Sequence, residues 1–206
     1  MIKRFILIII FIKALFLHGQ DRIFSKSNEG GLSVEIFFNP VEFNRIEPNV
    51  LDFFLNEDES KPGEFKLPYK IYFIAIPPNS KINLEVTEKY FHTIENVEIT
   101  RNRKVDLVND SLLVYSEIKN YEFIDDRESY PSSDIELLNY LWIRDYYCAL
   151  IKVNTHKYSI STRTLEILDS IKIKVNFDRI YQKRLNIDSH FSFFDEALKQ
   201  VIINFD

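Results

Sequence analysis

Alternation between apolar and polar residues is the commonest pattern along the chain, and it predicts strands. Ile171, Ile173, Val175 and Phe177 alternate with Lys172, Lys174 and Asn176; a period of two puts one set into a core and the other into water. Ile82, Leu84 and Val86 alternate with Asn83, Glu85 and Thr87 directly after the turn signal Pro77-Pro78-Asn79-Ser80. The run before that turn, 71–76, is apolar almost throughout, so the turn should join a deeply buried strand to a half-buried one. Further strands are predicted over 33–38, 97–99, 112–115, 141–153 and 164–167. Short strands separated by turn residues point to an all-β fold, a β-sandwich of jelly-roll-like form. Two segments depart from the pattern. Residues 56–63 carry Glu57, Asp58, Glu59, Lys61 and Pro62 with no large apolar side chain, which predicts a solvated loop. Near the end, Ser192 stands three residues before Asp195, and Phe194, Leu198, Val201 and Ile202 recur at helical spacing, which predicts a short C-terminal helix.

The first residues follow a different rule. Lys3 and Arg4 precede an apolar run over 5–12, Lys13 interrupts it, and Ala14 to Leu17 complete it. A charged start and a short apolar centre read as a secretory signal peptide over 1–19, with the cut after Gly19. Crossing the hydrocarbon as a helix takes about 20 apolar residues, more than this run offers. The expectation is an exported chain, in the periplasm, at the outer-membrane surface or secreted. Its exported part is expected to be one domain, with N-terminal strands and a loop over 20–62 and the sandwich with its helix over 63–206.

Charge then removes one class of partner. Taking away 1–19 removes Lys3, Arg4 and Lys13 and no acid, so the formal charge falls from −5 to −8. Such a surface repels a polyphosphate unless basic residues cluster, and the one dense basic group is Arg101, Arg103 and Lys104. Cys148 is the only cysteine, so no internal disulfide can staple the domain and a hydrophobic core must hold it. The 18 Phe and 11 Tyr suit that role on pleated, half-buried surfaces.

Catalytic chemistry finds little footing. Cys148 has His92, His156 and His190 as bases to draw on, but it lies inside an apolar strand pattern where a small packed side chain is expected. The histidines show no metal-ligand spacing, no glycine-rich phosphate loop is present, and Asp125 with Asp126 beside Arg127 reads as a solvated loop. No cofactor and no metal are expected. Trp142, Tyr146 and Tyr147 could stack on a sugar ring; in one continuous strand, however, Trp142 and Tyr146 would share a face and Tyr147 would lie on the other.

Several segments, taken in order, carry a family resemblance. Gly63-Glu64-Phe65-Lys66-Leu67-Pro68, the strand and turn Ile74-Ala75-Ile76-Pro77-Pro78-Asn79-Ser80-Lys81-Ile82, Tyr130-Pro131, Trp142-Ile143-Arg144-Asp145-Tyr146, Tyr158, Leu165 and the stretch with Phe194, Val201 and Asn204 are the residues concerned. Together they resemble the propeptide domain of gingipain-type cysteine peptidases, including the related sorting peptidase of the type IX secretion system. The chain departs from the family pattern at Phe65, Thr155 and Ile160, which replace prolines, and at Asn79, which replaces a glycine. Asn tolerates a left-handed turn, so the last change should preserve the turn. The resemblance implies a β-sandwich that packs on a peptidase catalytic domain, in cis or in trans, assists its folding and blocks its cleft. In some members of that family a basic residue on a prodomain loop enters the specificity pocket. The comparable loop here is 100–111, where Arg101, Arg103 and Lys104 lie near the start and Leu107 and Val108 at the matching centre. The chain itself would then be non-catalytic. The alternative from another class is an exported β-sandwich module for adhesion or carbohydrate binding.

Overall fold

The computed structural model describes residues 21–28, 30–53, 64–102, 104–108, 112–116, 129–178, 198–199 and 201–204. The predicted signal peptide, the 56–63 loop, Asp125, Asp126, His190 and most of the predicted helix lie outside them. The described chain is all β. Its strands are β1 (Arg22–Asn28), β2 (Gly31–Phe37), β3 (Phe43–Glu47), β4 (Val50–Phe53), β5 (Tyr69–Ala75), β6 (Ile82–Ile94), β7 (Glu98–Ile99), β8 (Lys104–Val108), β9 (Leu112–Ser116), β10 (Ser129–Tyr130), β11 (Ile135–Ile143), β12 (Tyr146–Asn154), β13 (His156–Ser159) and β14 (Thr164–Phe177).

β14 is the spine. Along one edge it pairs first with β13 and then with β2; along the other it pairs with β6 for its whole length. β1 extends the sheet beyond β2, and β10 beyond β13. The predicted strands at 164–167 and 171–177 are therefore one strand. The expected alternation breaks between them because Asp169 is a bulge, unpaired between Leu168↔Phe91 and Ser170↔Tyr90, and a bulge reverses which parity faces inward. A second sheet runs β11-β12-β5. Here the single strand predicted over 141–153 is a hairpin: Ile143 pairs with Tyr146 across a turn at Arg144-Asp145, and Arg144 takes φ 53°. The left-handed position falls on Arg144 rather than on Gly or Asn, so Asp145 is the one turn residue that marks it in the sequence.

Leu32, Val34, Ile36, Leu168, Ile171, Ile173 and Val175 from the large sheet face Tyr72, Ile74, Ala149, Ile151 and Val153 from the second, and together they form the first core. A second core gathers Leu51, Phe53, Phe65, Leu67, Val97, Ile99, Tyr158 and Leu165. Ile167 packs on the second core and Leu168 belongs to the first; adjacent strand residues point to opposite faces, so the two cores flank β14 on opposite sides. The second core is roofed by β3-β4-β7, in which β7 runs parallel to β4.

The double-proline turn links the two layers of the sandwich. β5 ends in one sheet and β6 begins in the other, and Ser80 N–H closes the turn on Pro77 O at 3.0 Å. Asn79 has φ 58°, the left-handed conformation expected where the family carries glycine. Asp178 then ties both strand ends, accepting from Ser80 Oγ at 2.7 Å and from Lys81 N–H at 2.8 Å. Of the tail, Leu198 O accepts from Val201 and Ile202 N–H, a single helical turn. Beyond it Ile202 bridges Phe73 in parallel, and the Asn204 side chain bonds both Ala75 N–H (2.8 Å) and Ala75 O (2.9 Å), so this segment continues the sheet past β5.

Candidate functional site

Residues 64–67 lie antiparallel to 99–102: Lys66 N–H donates to Thr100 O and Asn102 N–H to Glu64 O. This places Phe65 opposite Arg101, whose guanidinium sits 4.2 Å from the Phe65 ring centroid, within cation–π range. Phe65 in turn packs edge-on to Tyr158, ring centroids 5.0 Å apart, and Tyr158 Oη donates to Val97 O at 2.9 Å. Thr100 N–H bonds Leu51 O, and its hydroxyl bonds the Asp52 carboxylate. The chain thus crosses the second core as a firmly hydrogen-bonded platform and leaves it at Asn102.

From there it runs up β8 and returns along β9, a two-stranded hairpin that pairs with no other strand among the described residues. The three basic residues predicted to mark a contacting loop are split by this geometry. Arg101 stays in the platform, Lys104 opens β8 opposite Ser116, and Arg103 is outside the described residues. Leu107 and Val108 stand at the far end, where Val108 pairs with Leu112. The predicted loop therefore contains a two-stranded hairpin, with Arg101 and Lys104 at its start and Leu107 and Val108 toward its far end.

The other candidates are scattered. Cys148 is fully buried between Leu141 and Ala75, and burial pushes its thiol up to about 11. A thiolate at neutral pH is what a nucleophile requires. His92 lies on the exposed side of β6 with Nδ1 2.8 Å from Asp169 Oδ1. His156 is buried in contact with Phe53, ring centroids 4.9 Å apart. Among the described residues no three His, Cys, Asp or Glu side chains gather as a metal site. The aromatic residues do change place: as a hairpin, Trp142 faces Tyr147, centroids 5.1 Å apart, and Tyr140 stacks on Tyr147 at 5.9 Å. Trp142 and Tyr147 therefore share a face, contrary to the single-strand expectation.

Sequence reasoning also missed a buried carboxylate. Asp21 accepts from Lys70 Nζ at 2.6 Å, Tyr72 Oη at 2.7 Å and Asn39 N–H at 3.0 Å. No local pattern marks it, because its three partners come from distant positions.

The family model Propeptide_C25 matches residues 34–206. The chain belongs to that family, the propeptides of gingipain-type cysteine peptidases. Among solved structures it is similar to a chain in the complex of the pro- and mature domains of RgpB from Porphyromonas gingivalis. That match has 19% identity and a TM-score of 0.65, and covers 91% of this chain and 99% of that one. It is also similar to a structure addressing the zymogenic latency of gingipain K from the same organism, with 14% identity and a TM-score of 0.51, covering 79% of this chain and 96% of that one. At these identities the likeness concerns the fold. No curated protein matches. For this gingipain-type propeptide, the family span takes in the second core, all of the first core but Leu32, the hairpin and the Asn204 contact.

Proposed function

We propose that this chain is the non-catalytic propeptide of an exported, gingipain-like cysteine peptidase, packing on the catalytic domain to hold it latent and to assist its folding. The observation that carries this reading is the family match across 34–206, on a fold shared with a chain from a complex of pro- and mature domains. The β8–β9 hairpin is the element we assign to the partner's cleft, since it follows the hydrogen-bonded 99–102 segment and pairs with no other strand among the described residues. In this reading Arg101, Arg103 and Lys104 bring positive charge to the base of the contact. The experiment is co-expression with a gingipain-type catalytic domain, followed by inhibition of peptide hydrolysis at micromolar propeptide. Binding together with inhibition is the expected result; absence of both would overturn the reading.

A second reading, a carbohydrate-binding module, is favoured by one observation: Trp142 is half exposed and aligned with Tyr147 on one face. A glycan array that lights up for the unaltered chain and goes dark for Trp142→Ala would establish it.

A further inference from the structure

His156 opens β13 and is only 2% exposed. Its hydrogen bonding fixes its tautomer. Thr155 Oγ1 has one hydrogen, which it donates to Pro68 O at 3.0 Å, so in the 2.9 Å contact between Thr155 Oγ1 and His156 Nδ1 the ring nitrogen must be the donor. Nε2 is therefore a bare lone pair, buried and without a hydrogen-bond partner. A neutral imidazole tolerates this. A proton added at Nε2 would create a cation whose new N–H has no acceptor, beside the ring of Phe53.

The surrounding charges give no relief. His92 of β6, in the same row across Ile167, is occupied with Asp169 of β14. Lys70 of β5 is held by Asp21. Asp52 of β4 is bonded to Thr100 and lies 3.8 Å from Lys66. Lys157 of β13 and its partner Glu166 of β14 are one position on from His156 and Ile167 and so lie on the opposite face. Among the described residues, no carboxylate meets the imidazole.

We propose that His156 is an acid-sensitive latch, in which proton uptake opens the second core and frees the base of the β8–β9 hairpin while the first core stays closed. The first core is built from aliphatic residues and Tyr72, with no group that titrates between pH 5 and 7. The second core holds the platform from which the hairpin rises. As a control on peptidase latency, the latch rests on the propeptide reading; as a property of this chain, it does not.

Burial first, then the positive charges of His92 and Lys70, push the ring down from 6.5 to about 3. The folded state thus resists a proton that the unfolded segment accepts at 6.5. Stability is complete above that value and is lost as pH falls from 6.5 toward 3. Between pH 7 and pH 5 the opening constant should rise about 25-fold, a factor that hardly depends on where below 4 the folded value lies.

The test uses the chain alone. Proton NMR of the imidazole and amide exchange, corrected for intrinsic pH dependence, are followed from pH 7 to pH 5. The expected result is a His156 ring that stays neutral in the folded chain, with amides of 97–102 losing protection about 25-fold and those of 171–175 keeping it. His156→Phe preserves an apolar ring beside Phe53 and should abolish the loss. A ring titrating near 6.5 in the folded chain overturns the latch, as does unchanged protection at 97–102 or joint opening of both cores. Should the variant not fold, the ring titration and exchange of the unaltered chain decide alone. With a gingipain-type catalytic domain, inhibition at pH 7 that fades at pH 5, and does not fade in His156→Phe, supports the latch as a control on latency. A core that opens as described in a chain that never inhibits, even at pH 7, supports the latch and overturns the propeptide reading instead.

Discussion

Replacing Asp21 with Ala tests whether the first described residue is structural mortar or a loose end. Its side chain is 8% exposed and serves three donors, one of them a lysine ammonium. Lys70 is 26% exposed and can turn toward water, so its loss is discounted. Tyr72 is 8% exposed and its hydroxyl loses a charged acceptor, worth about 1.5–3 kcal/mol; the Asn39 N–H adds about 1 kcal/mol. The expected cost is about 3 kcal/mol, or a fall in Tm of about 6–12 °C for a domain of this size. Urea unfolding of the chain gives the free energy directly. Asp21→Asn, which keeps one acceptor oxygen for Tyr72, should cost about half as much. A double-mutant cycle with Tyr72→Phe should show coupling of at least about 1 kcal/mol. A cost for Asp21→Ala below about 0.5 kcal/mol, the range of ordinary surface substitutions, would refute the reasoning.

Further consequences can be measured on the same preparation. Gly31→Ala would place a Cβ 2.3 Å from the Val175 carbonyl oxygen, a backbone atom that can yield only if β2 and β14 part, so a loss of about 1–3 kcal/mol is expected in urea unfolding. Asn204→Ala removes both bonds to Ala75 and should raise amide exchange at 202–204 while leaving β12 protected. Cys148, buried and with its thiol raised to about 11, should react with a thiol reagent only at the rate of unfolding. Tyr72 is held protonated well above its usual 10.0 by burial and Asp21, so stability should fall as pH rises past 10, where only the unfolded chain ionises; Tyr72→Phe should flatten that limb.

How much of this was written in the residue pattern depends on the element. β2, β5, the first half of β6 and the second half of β14 obey strict alternation or an apolar run, and each is found where the pattern places it. The β11–β12 hairpin escaped because Arg144-Asp145 reads as two wet positions of a longer strand, and only the left-handed backbone at Arg144 makes it a turn. β3 and β4 are short, and β13 carries His156 and Tyr158, residues whose inward direction is set by the second core rather than by alternation with strongly polar neighbours. The basic cluster was legible as letters, but its division between platform and hairpin was not, because the pairing of Phe65 with Arg101 joins segments far apart in sequence. For the same reason, the isolation of His156 Nε2 could be seen only in three dimensions.

The central position of β14 also dictates a timetable. Gly31 cannot meet Asn176, nor Ile82 meet Phe177, until almost the whole domain has been made, and both long edges of the large sheet wait on that one late strand. A topology dominated by such distant pairings collapses late and slowly, because loop-closure entropy must be met before the contacts repay it. While the chain is still emerging, β2 has only its hairpin partner β1, β6 has no strand to pair with, and the large sheet stays open. A chain whose large sheet is still open has not yet acquired the width that would lodge in a narrow channel.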